Sequence, residues 1–196
     1  GGRILLRGDA LSPGRKQIEV TRSGGERPIP VSVRLTGVDG RKTIEPLPEG
    51  LTVTRRIEVA RIVKEKESWV PLTSGTTVDL RDELRVVVQI SSKENLQYIL
   101  LESPLPAGTE VVPEFRWEED WWDGAWYGRR EVHDDRVVIA DSYFSRGKEE
   151  FQFRIRATNP GTYHILPTTA HAMYAPQIRG RSGAFILRIE RGRRSD

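Results

Sequence analysis

The sequence predicts an all-β sandwich, and three observations carry that prediction. The dominant hydrophobic period is two. Leu84, Val86, Val88 and Ile90 alternate with Arg85, Val87 and Gln89, and Phe151, Phe153, Ile155 and Ala157 alternate with Gln152, Arg154, Arg156 and Thr158. Such a pattern places one face of a strand in a core and the other toward water. Turn-forming clusters recur at short intervals, among them Ser12-Pro13-Gly14, Ser23-Gly24-Gly25, Asp39-Gly40, Ser145-Arg146-Gly147 and Asn159-Pro160-Gly161. Helical periodicity is almost absent, so two packed sheets are the architecture that buries every apolar stripe.

From the N-terminus, strands are expected at 3–7, 16–22 and 29–36. These segments are too small together to hold a core alone. Composition shifts across Gly37–Gly50, where Gly40, Pro46, Pro48 and Gly50 gather. A boundary near residue 40 follows: 1–40 is the tail of a preceding domain or an extra sheet edge, and 41–196 is the main β domain. The long segment 51–62 comes next, and Arg55, Arg56, Glu58 and Arg61 read as charges guarding an exposed edge. Further strands are expected at 84–90, 96–102, 109–116, 136–141, 151–158, 161–166 and 185–190. In the last of them Phe185, Leu187 and Ile189 face away from Arg188 and Glu190. Only 168–174 is expected to form a helical turn, capped by Thr168 and bracketed by Pro167 and Pro176.

Composition excludes whole classes of function. A chain of 196 residues buries roughly 70 % of its unfolded surface and needs no disulfide to hold a core. Thirty-one Lys and Arg against 28 Asp and Glu give a net charge of +3, interspersed along the chain. That excludes a dedicated nucleic-acid arm. Zero cysteines exclude thiolate catalysis, Cys-ligated zinc, iron–sulfur clusters and a disulfide framework. No apolar run reaches the roughly 18 residues of a bilayer span, so direct membrane insertion is not expected. The start at Gly1-Gly2, with no signal peptide, reads as a cut into a longer polypeptide.

Three constellations are candidates for function. Trp117, Trp121, Trp122, Trp126 and Tyr127 are interleaved with Glu118, Glu119, Asp120 and Asp123. Exposed indoles beside acids stack on sugars or bury at a protein interface. The composition favours a plainer role, a long loop with Trp as its private core. The acids would repel a nucleic-acid phosphate. Glu131-Val132-His133-Asp134-Asp135-Arg136 invites a metal or acid–base reading. On a strand, however, Asp134 and Asp135 point to opposite faces, so a turn whose carboxylates satisfy backbone N–H groups is the better reading, and no metal is expected. His171-Ala172-Met173-Tyr174-Ala175-Pro176 holds the only methionine, a flexible apolar side chain beside an aromatic one. No GxSxG, P-loop or HExxH pattern occurs, and no cofactor is implied.

Four ordered stretches resemble the C-terminal (MG10-like, receptor-binding-domain-like) region of bacterial α2-macroglobulins. Tyr98-Ile99-Leu100-Leu101-Glu102-Ser103-Pro104-Leu105-Pro106-Ala107-Gly108 resembles a strand ending in a DPLPAG-like turn, with Ser103 in place of Asp. Arg130 to Val138 resembles a family RExRDDRVV segment, with His133 in place of Arg. Arg154 to Tyr163 resembles RAVTPGTF, and Met173 to Ser182 resembles MYNPEVxGRS. The resemblance implies an immunoglobulin-like macroglobulin β-sandwich for 41–196. For 1–40 it implies the closing strands of a preceding CUB-like domain. It further implies a non-catalytic part of a broad-spectrum protease inhibitor, exported to the periplasm and anchored, if at all, through a distant N-terminus. The implied partners are the thioester domain and other macroglobulin domains of the same polypeptide, and target proteases through the parent. Met173 is then the matching methionine of a plug that keeps water from the thioester, with Tyr174 its aromatic companion. A stand-alone carbohydrate-binding sandwich using the loop 117–127 is the alternative.

Overall fold

The longest strand reads Leu-Thr-Val-Thr-Arg-Arg-Ile-Glu-Val-Ala-Arg-Ile-Val, a β-branched run that fits a pleat better than a helix. In the computed structural model, which describes residues 24, 43–63, 66–112 and 129–192, this run is β2 (Leu51–Val63). The other strands are β1 (Leu47–Glu49), β3 (Lys66–Pro71), β4 (Thr77–Asp79), β5 (Glu83–Ser92), β6 (Leu96–Pro104), β7 (Thr109–Val111) and β8 (Arg129–Val132). They continue with β9 (Arg136–Phe144), β10 (Gly147–Ala157), β11 (Gly161–Ile165), β12 (Thr169–Ala172), β13 (Ala175–Arg181) and β14 (Phe185–Glu190). The described residues contain no helix. The chain divides into two units, Gly1–Asp39 and Gly40–Asp196. The strands expected at 3–7, 16–22 and 29–36 lie outside the described residues.

Three sheets share one core. The six-stranded sheet runs β1-β13-β12-β6-β9-β8, the five-stranded sheet β3-β2-β5-β10-β7, and the three-stranded sheet β11-β14-β4. Inward residues of all three meet in a single apolar cluster, which includes Leu51, Ile57, Leu84, Ile99, Ile139, Phe153 and Leu187. Gly180 sets the approach of β13 to β2, because a Cβ there would sit 2.3 Å from the Leu51 carbonyl oxygen. Arg55 lies among the inward positions of β2 and donates to the carbonyls of Leu166 (2.7 Å) and Gly183 (3.3 Å). It thereby ties down the two segments that link the six-stranded and three-stranded sheets, β11 to β12 and β13 to β14. Burial lowers its pKa to about 10, so it stays charged at neutral pH.

The structure corrects several expectations. β2 is not an edge: it pairs with β3 on one side and β5 on the other, and β3 takes the edge. The charges of β2 instead build ion pairs across the sheet. Glu58 bonds Arg56 (2.9 Å) and Arg85 (2.7 Å), and Arg61 bonds Asp82 (2.9 Å). Burial raises the Glu58 pKa, but hydrogen bonds and the charges of the two arginines outweigh it and hold the carboxylate below its ordinary range. Val87, expected toward water, is 1 % exposed, flanked across the ladder by Arg56 and Gln152, whose long stems shade it. Residues 168–174 are not helical: 169–172 is β12, laddered to β6 and β13. Thr168 caps nothing there. Its hydroxyl meets Ser103 Oγ (3.0 Å), and its N–H donates to Ser182 Oγ (3.0 Å). Of the strand expected over 109–116, residues 109–111 form β7, and 113–116 and the loop 117–127 lie outside the described residues.

Candidate functional site

The hairpin β12–β13 begins from a simple pattern. Ala170 and Ala172 are buried small residues on one face, with Thr169 and His171 on the other. The hairpin closes at the pair Ala172↔Ala175, which leaves Met173 and Tyr174 as a two-residue tip. The register then jumps, with His171 opposite Arg179, so Pro176 lies in a bulge where no ladder N–H is required of it. Ile178 folds back from that bulge against the core.

The tip is anchored from below by β6. The Met173 N–H donates to the Tyr98 carbonyl (2.8 Å), and the Tyr98 and Tyr174 rings meet edge-to-face at 5.1 Å. Tyr98 has a φ of +54°, a left-handed conformation that a bulky residue adopts only when its surroundings impose it. The consequence is visible in the burial pattern: Leu96 and Ile99, three apart, both face inward. β9 makes the same skip at Asp141 and Phe144, so the ladder register survives. The four residues at this end of the sheet are large and exposed: Tyr98 (45 %), Tyr143 (51 %), Met173 (41 %) and Tyr174 (82 %). Tyr98, Met173 and Tyr174 form an apolar, aromatic projection held by one backbone bond and one ring contact.

Carboxylates lie just inside this end. Asp141 is buried and accepts the Tyr143 N–H (3.0 Å). Glu149 lies at the inward parity of β10, in line with Phe151 and Phe153. Burial, and then the nearby Asp141 charge, push its pKa up to about 7.

The remaining motifs build the frame. Pro106 O accepts from the Thr109 N–H (3.0 Å) and hydroxyl (2.9 Å), and Gly108 O accepts from the N–H groups of Thr158 (2.9 Å) and Asn159 (3.2 Å). The turn 104–108 and the segment 154–163 are therefore one corner. Tyr163 locks it from the start of β11, its hydroxyl donating to Asn159 O (3.1 Å) and Pro160 O (3.2 Å) as in a tyrosine corner. Asp134 and Asp135 form the exposed β8–β9 turn. There Arg136 bonds Asp135 (2.8 Å), and the Asp135 carbonyl accepts the Leu105 N–H (2.9 Å). His133 and Glu131 approach to 3.4 Å. No group of three His, Cys, Asp or Glu able to hold a metal occurs among the described residues.

Residues 50–177 match the bacterial alpha-2-macroglobulin MG10 domain. The chain belongs to the bacterial alpha-2-macroglobulin family. An alpha-2-macroglobulin homolog of Nostoc sp. is 24 % identical over 151 residues, covering 72 % of this chain and 8 % of its own length. The native E. coli alpha-2-macroglobulin seen by cryo-EM matches at a TM-score of 0.57 and 21 % identity, over 74 % of this chain and 10 % of that one. The trypsin-activated E. coli protein matches at a TM-score of 0.55 and 21 % identity, over 74 % and 11 %. This macroglobulin chain thus spans about a tenth of the length of these relatives. The structural likeness shows the immunoglobulin-like sandwich fold.

The structure brings Met173 and Tyr174 together at one tip. Sequence reasoning missed Tyr98, which supports the tip. The available signal was the broken alternation Leu96, Ile99, Leu101, which a regular strand would not show.

Proposed function

We propose that this macroglobulin domain is a non-catalytic docking element of a broad-spectrum protease inhibitor. Its β12–β13 tip seats on the thioester domain of the parent chain and excludes water from the thioester. The observation that carries this reading is the tip itself: a methionine and a tyrosine, both exposed, mounted rigidly on Tyr98. Bulky side chains that bring neither an amine nor a thiol suit a site where an activated acyl bond must meet neither water nor amine. The E. coli relative's trypsin-activated form supports protease engagement by the parent. Release after cleavage would then come from domain motion, with no chemistry in this domain. Export to the periplasm belongs to the same proposal. The comparisons do not favour a stand-alone carbohydrate-binding module.

The test uses the full parent chain carrying Met173→Ala and Tyr174→Ala. Methylamine inactivation, followed as thiol released over time, should accelerate several-fold while melting of the parent is unchanged. Unchanged inactivation in the folded variants, or a parent chain without a thioester, overturns the shielding role.

A further inference from the structure

A cavity of about 470 Å³ opens at one end of the five-stranded sheet, where β2, β5 and β10 lie side by side. Cross-strand register places Thr52 opposite Ser91 and Ser91 opposite Lys148, so three polar side chains line up in one row. The row alternates with the core positions Leu51, Val53 and Ile90 and therefore lies on the outer face. Lys93 stands at the rim, just past the end of β5. Gly50 and Gly147, both at positive φ, line the cavity without side chains, and a Cβ at Gly147 would meet nothing within 4 Å. Pro48 supplies an apolar wall.

The electrostatics are one-sided. Among the described residues no carboxylate lines the cavity. Among the described residues neither the Lys93 nor the Lys148 side chain takes part in an ion pair or hydrogen bond. Glu150, one row along the same face, is held by Arg56, and Glu49 is held by Arg179. Glu149 has the opposite parity and faces inward. Two ammonium side chains and two hydroxyls therefore line one space, and Glu94, the exposed residue after Lys93, is among the described residues the nearby carboxylate that no arginine holds.

We propose that this cavity binds the phosphoryl group of a small organic phosphate, with Lys93 and Lys148 supplying charge and the Thr52 and Ser91 hydroxyls donating to its oxygens. The donor set decides between anions. A planar carboxylate is best met by the bidentate fork of an arginine, and among the described residues none lines the cavity. Compact ammonium groups and rotatable hydroxyls approaching from three strands suit a tetrahedral oxyanion. The volume exceeds that of bare phosphate and falls within the range of roughly 300–1,000 Å³ typical of small-molecule sites, which leaves room for the attached group against Pro48. The phosphoryl group has two sources, a soluble phosphomonoester or a lipid headgroup.

The experiment is an amide-resolved NMR titration of the 196-residue chain with glycerol 3-phosphate, with glycerol as the neutral control. Saturable shifts are expected at 50–52, 91–93 and 147–148, weakening with added salt. Lys93→Ala combined with Lys148→Ala should lower the affinity at least about tenfold without changing the melting temperature. Ser91→Asp, which places a negative charge in the row, should abolish binding. Vesicles of phosphatidylcholine with and without phosphatidylglycerol distinguish the sources. Lysine-dependent sedimentation with the anionic vesicles identifies a lipid headgroup, and saturable soluble binding without sedimentation identifies a free phosphomonoester. Shifts that do not saturate, that fall elsewhere, or that persist in the double variant overturn the proposal.

Discussion

Glu149→Gln should stabilise this domain at alkaline pH and leave it unchanged in acid. Glu149 points between the sheets beside Asp141, and its Oε2 is buried without a hydrogen-bond partner. Desolvation, and then the Asp141 charge, raise its pKa from 4.5 to about 7. The folded state therefore binds the proton more tightly than the unfolded chain does. Below about pH 4.5 both states are protonated and the penalty is absent. It grows as pH rises from 4.5 to about 7 and is constant above that. At about 1.4 kcal/mol per pH unit, the ceiling is roughly 3 kcal/mol. Glu149 is only partly buried, and solvent screening reduces the expected effect to about 1–2 kcal/mol. Glutamine keeps the size and removes the charge. Urea unfolding at intervals from pH 4 to pH 9, followed by circular dichroism, measures both proteins. The difference should open across the window from 4.5 to 7 and close at pH 4. A difference that is the same at every pH would refute the reasoning, as would a variant less stable than the parent at pH 8.

Two further outcomes test the frame. Gly108→Ala drives a Cβ to within 2.2 Å of the Tyr163 ring and must displace the hydroxyl that locks the corner. It should cost about 2–4 kcal/mol in urea unfolding, and an effect below about 1 kcal/mol would mean the corner gives way freely. Phe153→Ala opens a cavity at a fully buried position and should cost about 3–5 kcal/mol, whereas Met173→Ala, at the exposed tip, should change stability by less than about 1 kcal/mol. A tip substitution as costly as the core one would make Met173 a packing residue.

Strands whose alternation runs over six or more residues were legible in the sequence, because burial on one face leaves a period-two record. β2, β5, β9, β10 and β14 are of this kind. β1, β4, β8 and β12 have three or four residues each, too few for a period to show. β3 and β13 are longer but carry few buried residues, so their pairing is fixed by neighbours in space. The error at 168–174 has the same origin. Threonine next to proline is a fair helix start locally, but Thr168 is claimed by Ser103 and Ser182, which are distant in sequence. Edge status, misjudged for β2, is likewise a property of sheet order, and charges on a strand mark its outer face without saying whether that strand has a neighbour. The tip was partly legible: Met173 and Tyr174 stood out by composition and by resemblance, whereas Tyr98 became visible only as the support beneath them.

That support separates two kinds of residue within the motifs that carry the resemblance. Ser103, Gly108, Tyr163, Gly180 and Ser182 are spent on hydrogen bonds and close backbone approaches, and none projects from the surface. They explain why this sandwich, once formed, holds one geometry at its corners. Met173 and Tyr174 lie within the last of those motifs yet bury little, so the fold does not need them for its own stability. A two-residue turn joining β12 to β13 is served well by small polar residues. Placing methionine and tyrosine there exposes apolar surface in water and gains this domain one edge-to-face contact with Tyr98. The left-handed conformation of Tyr98 adds backbone strain at the same place. Local strain and exposed apolar side chains coincide at this end of the six-stranded sheet. A surface that costs the isolated domain stability is accounted for by the proposal made above, in which the tip seats on a neighbouring domain of the parent chain.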